Sequence, residues 1–247
     1  MKKEERMSST TPVLEATDLS FSYGPSVVWR DVDVVLDPGE IAVLQGANGA
    51  GKSTLLHCLA GWCVPDTGSI RVCGTPVGGA ARGIRREIAL VTDTPPFFDD
   101  LTAVEHVRFV LRANRRGDRE SEALELLTRF GLEDAGAAFP FSFSRGMRYK
   151  LALVMALALE PSLLLLDEPF GPLDTRSCDV LASELASASS RGAAVLLSGH
   201  QLPATLGGHS IRVLDGGTLR ASRQEVGSEN GAPSTPGEAV PDCQGVL

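Results

Sequence analysis

The chain has 247 residues, 43% of them hydrophobic and 22% charged, and a formal net charge of −8. That length supports one large domain or two small ones, and the acidic balance argues against nonspecific nucleic-acid binding, which needs a basic face. Five cysteines without a C-x-x-C pair fit reduced thiols, and no apolar run nears the ~18–20 residues that span a bilayer, so a chain soluble by itself is expected.

Residues 1–11 are expected to be a frayed leader, and no apolar segment follows Met1 to Arg6 as a secretory signal would require. Val13 to Tyr23 and Val27 to Leu36 are β-rich, bounded by Gly24-Pro25 and Asp37-Pro38-Gly39. Ile41 to Leu44 predicts a buried strand. Ser53 to Ala60, with Leu55, Leu56 and Leu59 on one face, predicts the helix after it. Pro65 to Gly68 turns into a strand from Ser69 to Cys73, and a short strand at Ile88 to Val91 leads into an irregular stretch, Thr92 to Asp100. Leu101 to Arg129 reads as helical, broken at Gly117-Asp118, with Asp118 as the expected N-cap. A helix from about Arg145 to Glu160 stops before Pro161, because the residue before a proline is pushed out of the helical region. Leu163 to Leu166 reads as a strand buried on both faces. Asp174 to Ser190 follows as a helix, then Ala193 to Ser198 and Ile211 to Leu214 as strands. This alternation predicts an α/β fold with a mainly parallel sheet and a helical insertion. From Ser228 onward Pro, Gly, Ser and Thr dominate, which predicts a disordered tail over 228–247.

Between the strand at 41–44 and the following helix lies Gly46-Ala47-Asn48-Gly49-Ala50-Gly51-Lys52-Ser53, a complete G-x-x-x-x-G-K-[ST] run in strand–loop–helix context. Glycines let backbone N–H groups converge on phosphates, Lys52 can reach the β/γ-phosphates, and the Ser53 hydroxyl suits Mg²⁺. Gly46, Asn48, Gly49, Ala50, Gly51, Lys52, Ser53 and Thr54 are therefore the candidate phosphate-binding set. Leu163 to Leu166 ends in Asp167-Glu168; at the carboxyl end of a sheet strand these face a neighbouring nucleotide. Asp167 suits the Mg²⁺ shell, and Glu168 suits polarising an attacking water.

With these two motifs, residues 12–222 resemble the ATP-binding cassette (ABC) family, and most closely its drug and polymer exporters of the ABC-2 type. The resemblance implies a P-loop NTPase core with an N-terminal antiparallel β part and a helical subdomain inserted at about 94–160. Pro169 to Asp174 looks like the family's D-loop, with Asp174 as its matching residue. Phe143-Ser144-Arg145-Gly146-Met147 stands where the signature L-S-G-G-Q belongs, so Ser144 and Gly146 are expected to face a γ-phosphate; Phe143, Arg145 and Met147 depart from the common form. His200 matches the switch histidine and Tyr23 the aromatic that stacks on adenine, whereas His57, His106 and His209 match nothing. Asp93 stands where the family usually has Gln. It can still offer Mg²⁺ a carboxylate oxygen, but it adds a negative charge and shortens the reach.

The resemblance further implies ATP and Mg²⁺ as ligands, with Glu168 and His200 catalytic and Ser53, Asp93 and Asp167 around the metal. It implies a subunit that dimerises head to tail, with itself or a second ABC subunit, and powers a separate integral-membrane permease from the cytoplasmic face, without nucleic acid. An exporter is expected; an importer and a soluble non-transport cassette are the alternatives. Pro95-Pro96-Phe97-Phe98 precedes the helical part and is the expected permease contact through at least one exposed ring.

Overall fold

The computed structural model describes residues 11–78, 83–199, 203, 205–206 and 208–222. The leader up to residue 10, His200 and the tail at 228–247 lie outside the described residues.

Two sheets organise the chain. β1 (Leu14–Tyr23) and β2 (Ser26–Leu36) pair antiparallel, and β4 (Thr67–Val72) and β5 (Thr75–Pro76) extend them in the order β2-β1-β4-β5. The second sheet is built on β3 (Ile41–Gln45), β6 (Ile88–Val91), β7 (Leu163–Leu166), β8 (Ala194–Ser198) and β9 (Ser210–Asp215), all parallel, with β10 (Thr218–Ser222) antiparallel at one edge. Its order is β10-β9-β3-β8-β7-β6.

Why the central strands are apolar on every residue follows from their two-residue period. On β7, Leu164 and Leu166 join one core with α2 (Ala103–Ala113), α3 (Glu120–Arg129) and α4 (Arg145–Ala158). Leu163 and Leu165 point the other way, into a core shared with α1 (Lys52–Leu59) and the antiparallel sheet. β8 divides likewise, Val195 and Leu197 against Ala194 and Leu196, and β3 does so with Ile41 and Val43 against Ala42 and Leu44. Both faces are covered, so a polar side chain fits only with a partner, as Ser198 at the end of β8 has.

Helix boundaries follow local chemistry. α2 opens on a capping box: Thr102 Oγ accepts from the Glu105 N–H, and the Glu105 carboxylate accepts from the Thr102 N–H at 2.8 Å. α4 opens on Ser144, whose Oγ accepts from the Met147 N–H at 3.2 Å. It stops ahead of Pro161, where Glu160 turns to φ 46°. Arg119 Nε donates to Ala158 O at 3.0 Å, satisfying a carbonyl of α4's last turn. α5 (Thr175–Ser190) opens on Asp174.

One expected cap is corrected. Asp118 does not cap a helix; it lies inside a 3₁₀ turn, Gly117–Arg119, that runs into α3 without any side-chain cap. Arg119 is what the turn serves, since it reaches both the α4 carboxyl end and Glu160, at 2.6 Å. Two short strands, β5 and β10, carry no sequence signal of their own and exist by pairing with β4 and β9.

Truncating a two-sided strand leaves a cavity that rigid neighbours on both faces cannot close. Leu165→Ala is expected to destabilise by about 2–5 kcal/mol, read from urea unfolding. Val64→Ala, at a side chain 85% exposed, should stay within about 0.5 kcal/mol of the parent.

Candidate nucleotide site

The loop between β3 and α1 is shaped by glycines that no other residue can replace. Gly46, Gly49 and Gly51 have φ of 154°, 81° and 93°. A Cβ on Gly46 would lie 2.4 Å from Leu214 O, and one on Gly51 would lie 2.4 Å from Val28 Cγ1 and 2.9 Å from Trp29 Cδ1. The backbone therefore passes against β9 on one side and β2 on the other. Lys52 is buried, and its Nζ donates to Gly46 O at 2.8 Å and Ala47 O at 3.1 Å, which holds the ammonium across the loop. Asn48 and Gly49 stay exposed at the loop's apex, Ala50 donates its N–H to Ala47 O, and Ser53 is exposed in the first turn of α1. Tyr23 closes β1 with an exposed ring, edge-on to Phe21 at 5.0 Å, and its hydroxyl lies 3.4 Å from Thr54 Oγ1. The strand end and the loop helix are thus neighbours.

Asp167 and Glu168 leave β7 on the same sheet edge. β8 lies between β3 and β7, with Ser198 paired to Leu44, so the loop and the acidic pair are two strands apart, about 10 Å. Asp167 is buried; Ser198 Oγ donates to its Oδ1 at 2.6 Å and accepts from the Glu168 N–H at 2.8 Å. The Asp167 N–H is taken by Val91 O at 2.9 Å, and Tyr149 donates its hydroxyl to Asp167 O at 2.9 Å. Burial, with the charges of Asp167, Asp93 and Glu168, pushes the Tyr149 pKa up, so the phenol stays a donor. Glu168 is exposed at φ 46°, a left-handed conformation that costs a non-glycine residue of order 1–3 kcal/mol and that the surrounding bonds must impose.

The signature-like segment lies beside this edge. In the free chain Ser144 serves as the cap of α4. A Cβ on Gly146 would stand 2.8 Å from Pro172 O, so the missing side chain is what lets α4 approach the 169–174 loop. Asp174 caps α5 by accepting from Ser177 N at 2.8 Å and also pairs with Lys150 on α4. The Lys150 bond, then the Ser177 N–H, hold its pKa down at about 2. Asp93 pairs with Arg145, the first residue of α4. His200 lies outside the described residues; Gly199, before it, donates its N–H to Leu44 O at 3.3 Å.

The residues present fit a nucleoside triphosphate with a divalent cation: a glycine cradle, a fixed lysine, an exposed ring over Thr54 and a buried carboxylate held at one oxygen.

The family model described as ABC transporter matches residues 29–171. The chain belongs to the ABC transporter family. It is similar to the ABC-type transporter ATP-binding protein EcsA of Bacillus subtilis, 31% identical over 89% of this chain and 93% of that protein. It is also similar to the cytochrome c biogenesis ATP-binding export protein CcmA of Aromatoleum aromaticum, 33% identical over 79% of this chain and 92% of that one. The sulfate/thiosulfate import ATP-binding protein CysA of Mycobacterium tuberculosis is 38% identical over 67% of this chain but only 48% of its own length. A solved ATP-binding subunit of an ABC transporter superposes with TM-score 0.80 at 35% identity, covering 85% of this chain and 90% of that one. The P-loop NTPase architecture of the cassette follows, and with it ATP binding and hydrolysis.

Two cassette residues escaped the sequence reading. Ser198 is the one polar residue of β8, and Tyr149 is a hydroxyl on α4's buried face. Both give a weak signal that only the contact explains. Tyr149→Phe removes the donor to a buried carbonyl, and an expected loss of about 1–3 kcal/mol should appear in urea unfolding. ATPase activity should fall with it; an unchanged midpoint and rate would show that the bond is idle.

Proposed function

We propose that this cassette, spanning residues 12–222 with a helical subdomain at about 94–160, is the ATPase subunit of a membrane exporter. The observation that carries the ATPase part of the reading is one sheet edge bearing both the Lys52 loop and the Asp167-Glu168 pair, with Ser198, on the strand between them, fixing Asp167. Lys52 and the loop N–H groups bind the phosphates, with Asn48, Ala50 and Thr54 lining them, and Tyr23 stacks on the adenine. Ser53, Asp167 and Asp93 would hold Mg²⁺. Mg²⁺ would offset phosphate charge and lower the barrier to attack on the terminal phosphorus. Glu168, on a strained turn at the solvent side, orients a water and takes its proton. His200 follows the β8 end and is assigned to the γ-phosphate, by its place in the sequence.

Ser144 and Gly146 sit at the start of α4 beside the 169–174 loop, and we assign them to the nucleotide of a second copy, or of a second ABC subunit, in a head-to-tail pair. Asp174, fixed by Ser177 and Lys150, lies at the same seam. No helix among the described residues is long and apolar enough to cross a membrane. We assign the pathway to a separate integral-membrane permease, which would hold the subunit at the cytoplasmic face. The name of CcmA, which covers nearly the same length, supports export; the similarity to an import protein covers only half of that protein.

Glu168→Gln should keep ATP affinity and slow turnover about 10²–10⁴-fold, the range of general-base catalysis, in a phosphate-release assay. Lys52→Ala should instead lose nucleotide binding. A wild-type rate in Glu168→Gln would remove that carboxylate from the mechanism.

The permease surface is narrower than the two adjacent phenylalanines imply. Phe97 packs against the core, while Phe98 is 55% exposed and meets Phe109, 49% exposed, edge-on at 5.4 Å. Buried His106 explains the split: its Nε2 accepts from the Phe98 N–H and its Nδ1 donates to Thr102 O, both at 2.9 Å. Exposed paired aromatics at the helical subdomain are what a permease helix would bury. Phe98→Ala with Phe109→Ala should abolish membrane recruitment by a co-expressed permease while ATP binding persists; undiminished recruitment would place docking elsewhere.

A further inference from the structure

The loop after β6 and the first turn of α4 carry opposite charges that meet. The Arg145 guanidinium donates to Asp93 Oδ1, with the two side chains 69% and 47% exposed. An ion pair this open to water adds little to folding stability. Its effect lies in where it puts charge. Asp93 stands two residues past Val91, whose carbonyl accepts the Asp167 N–H, so Asp93, Asp167 and Glu168 collect on one edge. A polyphosphate bound over this edge would face three carboxylates, and charges nearer than a Debye length, about 8 Å, are screened incompletely by salt. Lys52 lies in the loop after β3, on the Gly46 and Ala47 carbonyls, and Arg145 is the cation that meets Asp93 directly. Arg145 also stands between Ser144, which caps α4, and Gly146, which abuts Pro172. One guanidinium thereby joins the loop of the chain's own site to the segment assigned to a second copy.

We propose that Arg145 is a positioning residue that holds and neutralises the Asp93 carboxylate beside the nucleotide, so that the two act as one unit in binding ATP. The inference rests on the nucleotide-site reading above. Removing Arg145 alone leaves the full Asp93 charge beside the phosphates, offset only in part by the divalent cation; exchanging Asp93 for Gln as well removes that charge and keeps a side-chain oxygen for that cation.

The test is a cycle of wild type, Arg145→Gly, Asp93→Gln and the double variant, with Arg145→Lys beside them. Affinity for a fluorescent non-hydrolysable ATP analogue is measured with Mg²⁺, and hydrogen exchange of the amides of residues 92–94, 97 and 98 is followed without nucleotide. Arg145→Gly is expected to weaken analogue binding about tenfold, while the double variant and Arg145→Lys return to within about threefold of wild type. KM should follow the affinity, with kcat moving less. Exchange at these amides should quicken in Arg145→Gly and not in Arg145→Lys. Additive losses in the double variant, or an Arg145→Gly protein that binds and exchanges like wild type, would overturn the proposal. If wild type itself bound no analogue, the nucleotide-site reading would fail, and the exchange arm would still decide whether Arg145 holds Asp93.

Discussion

A carboxylate buried at the end of a sheet strand is the constraint on which the site depends. Taking Asp167 out of water is unfavourable unless hydrogen bonds replace the lost hydration. Ser198 at the end of β8 supplies one to the carboxylate, while Val91 on β6 and Tyr149 on α4 pair the residue's backbone N–H and carbonyl. Those bonds fix the relative heights of three strand ends and one helix. They also impose the turn at Glu168, since Ser198 Oγ takes its N–H. The exposed, strained carboxylate and the buried, satisfied one are consequences of a single hydroxyl.

α4 is the strut that carries this edge into the helical layer. Within its first six residues it pairs with Asp93 through Arg145, packs on Pro172 through Gly146, bonds Asp167 O through Tyr149 and pairs with Asp174 through Lys150. Its far end is held by Arg119 on the Ala158 carbonyl. A rigid helix so attached cannot tilt without disturbing the loops after β6 and β7 together, because packed interiors respond as bodies and not as fluids.

The legible parts were those with local causes. Glycine spacing was readable because Gly46 and Gly51 face atoms that forbid a Cβ, and Leu163 to Leu166 because both faces of β7 are covered. The breaks before Pro161 and at Asp174 were readable from backbone and capping chemistry. What stayed hidden depends on residues far apart in sequence. Ser198 meets Asp167 and Arg145 meets Asp93 across 31 and 52 positions, and no periodicity encodes either contact. Asp118 has the composition of a cap, but the turn around it is set by Arg119 reaching α4. Phe97 and Phe98 look equivalent until His106 orients the loop that separates them.

That loop ties the remaining features together. Residues 93–98 span at most about 18 Å of chain, and Pro95-Pro96 in the middle removes two backbone donors and most of the freedom in φ. One end is held by Arg145 at Asp93, the other by His106 at the Phe98 N–H. A short stiff segment anchored at both ends transmits displacement better than it absorbs it. The exposed Phe98–Phe109 pair lies at one anchor and the acidic edge at the other, so a partner that moves the aromatic pair acts on Asp93 through five residues. Coupling of this kind would require the two ends to favour different arrangements of this loop. The charge pair at Asp93 is one of the two anchors of this loop, and a neutral residue at either member would leave the loop anchored at one end only.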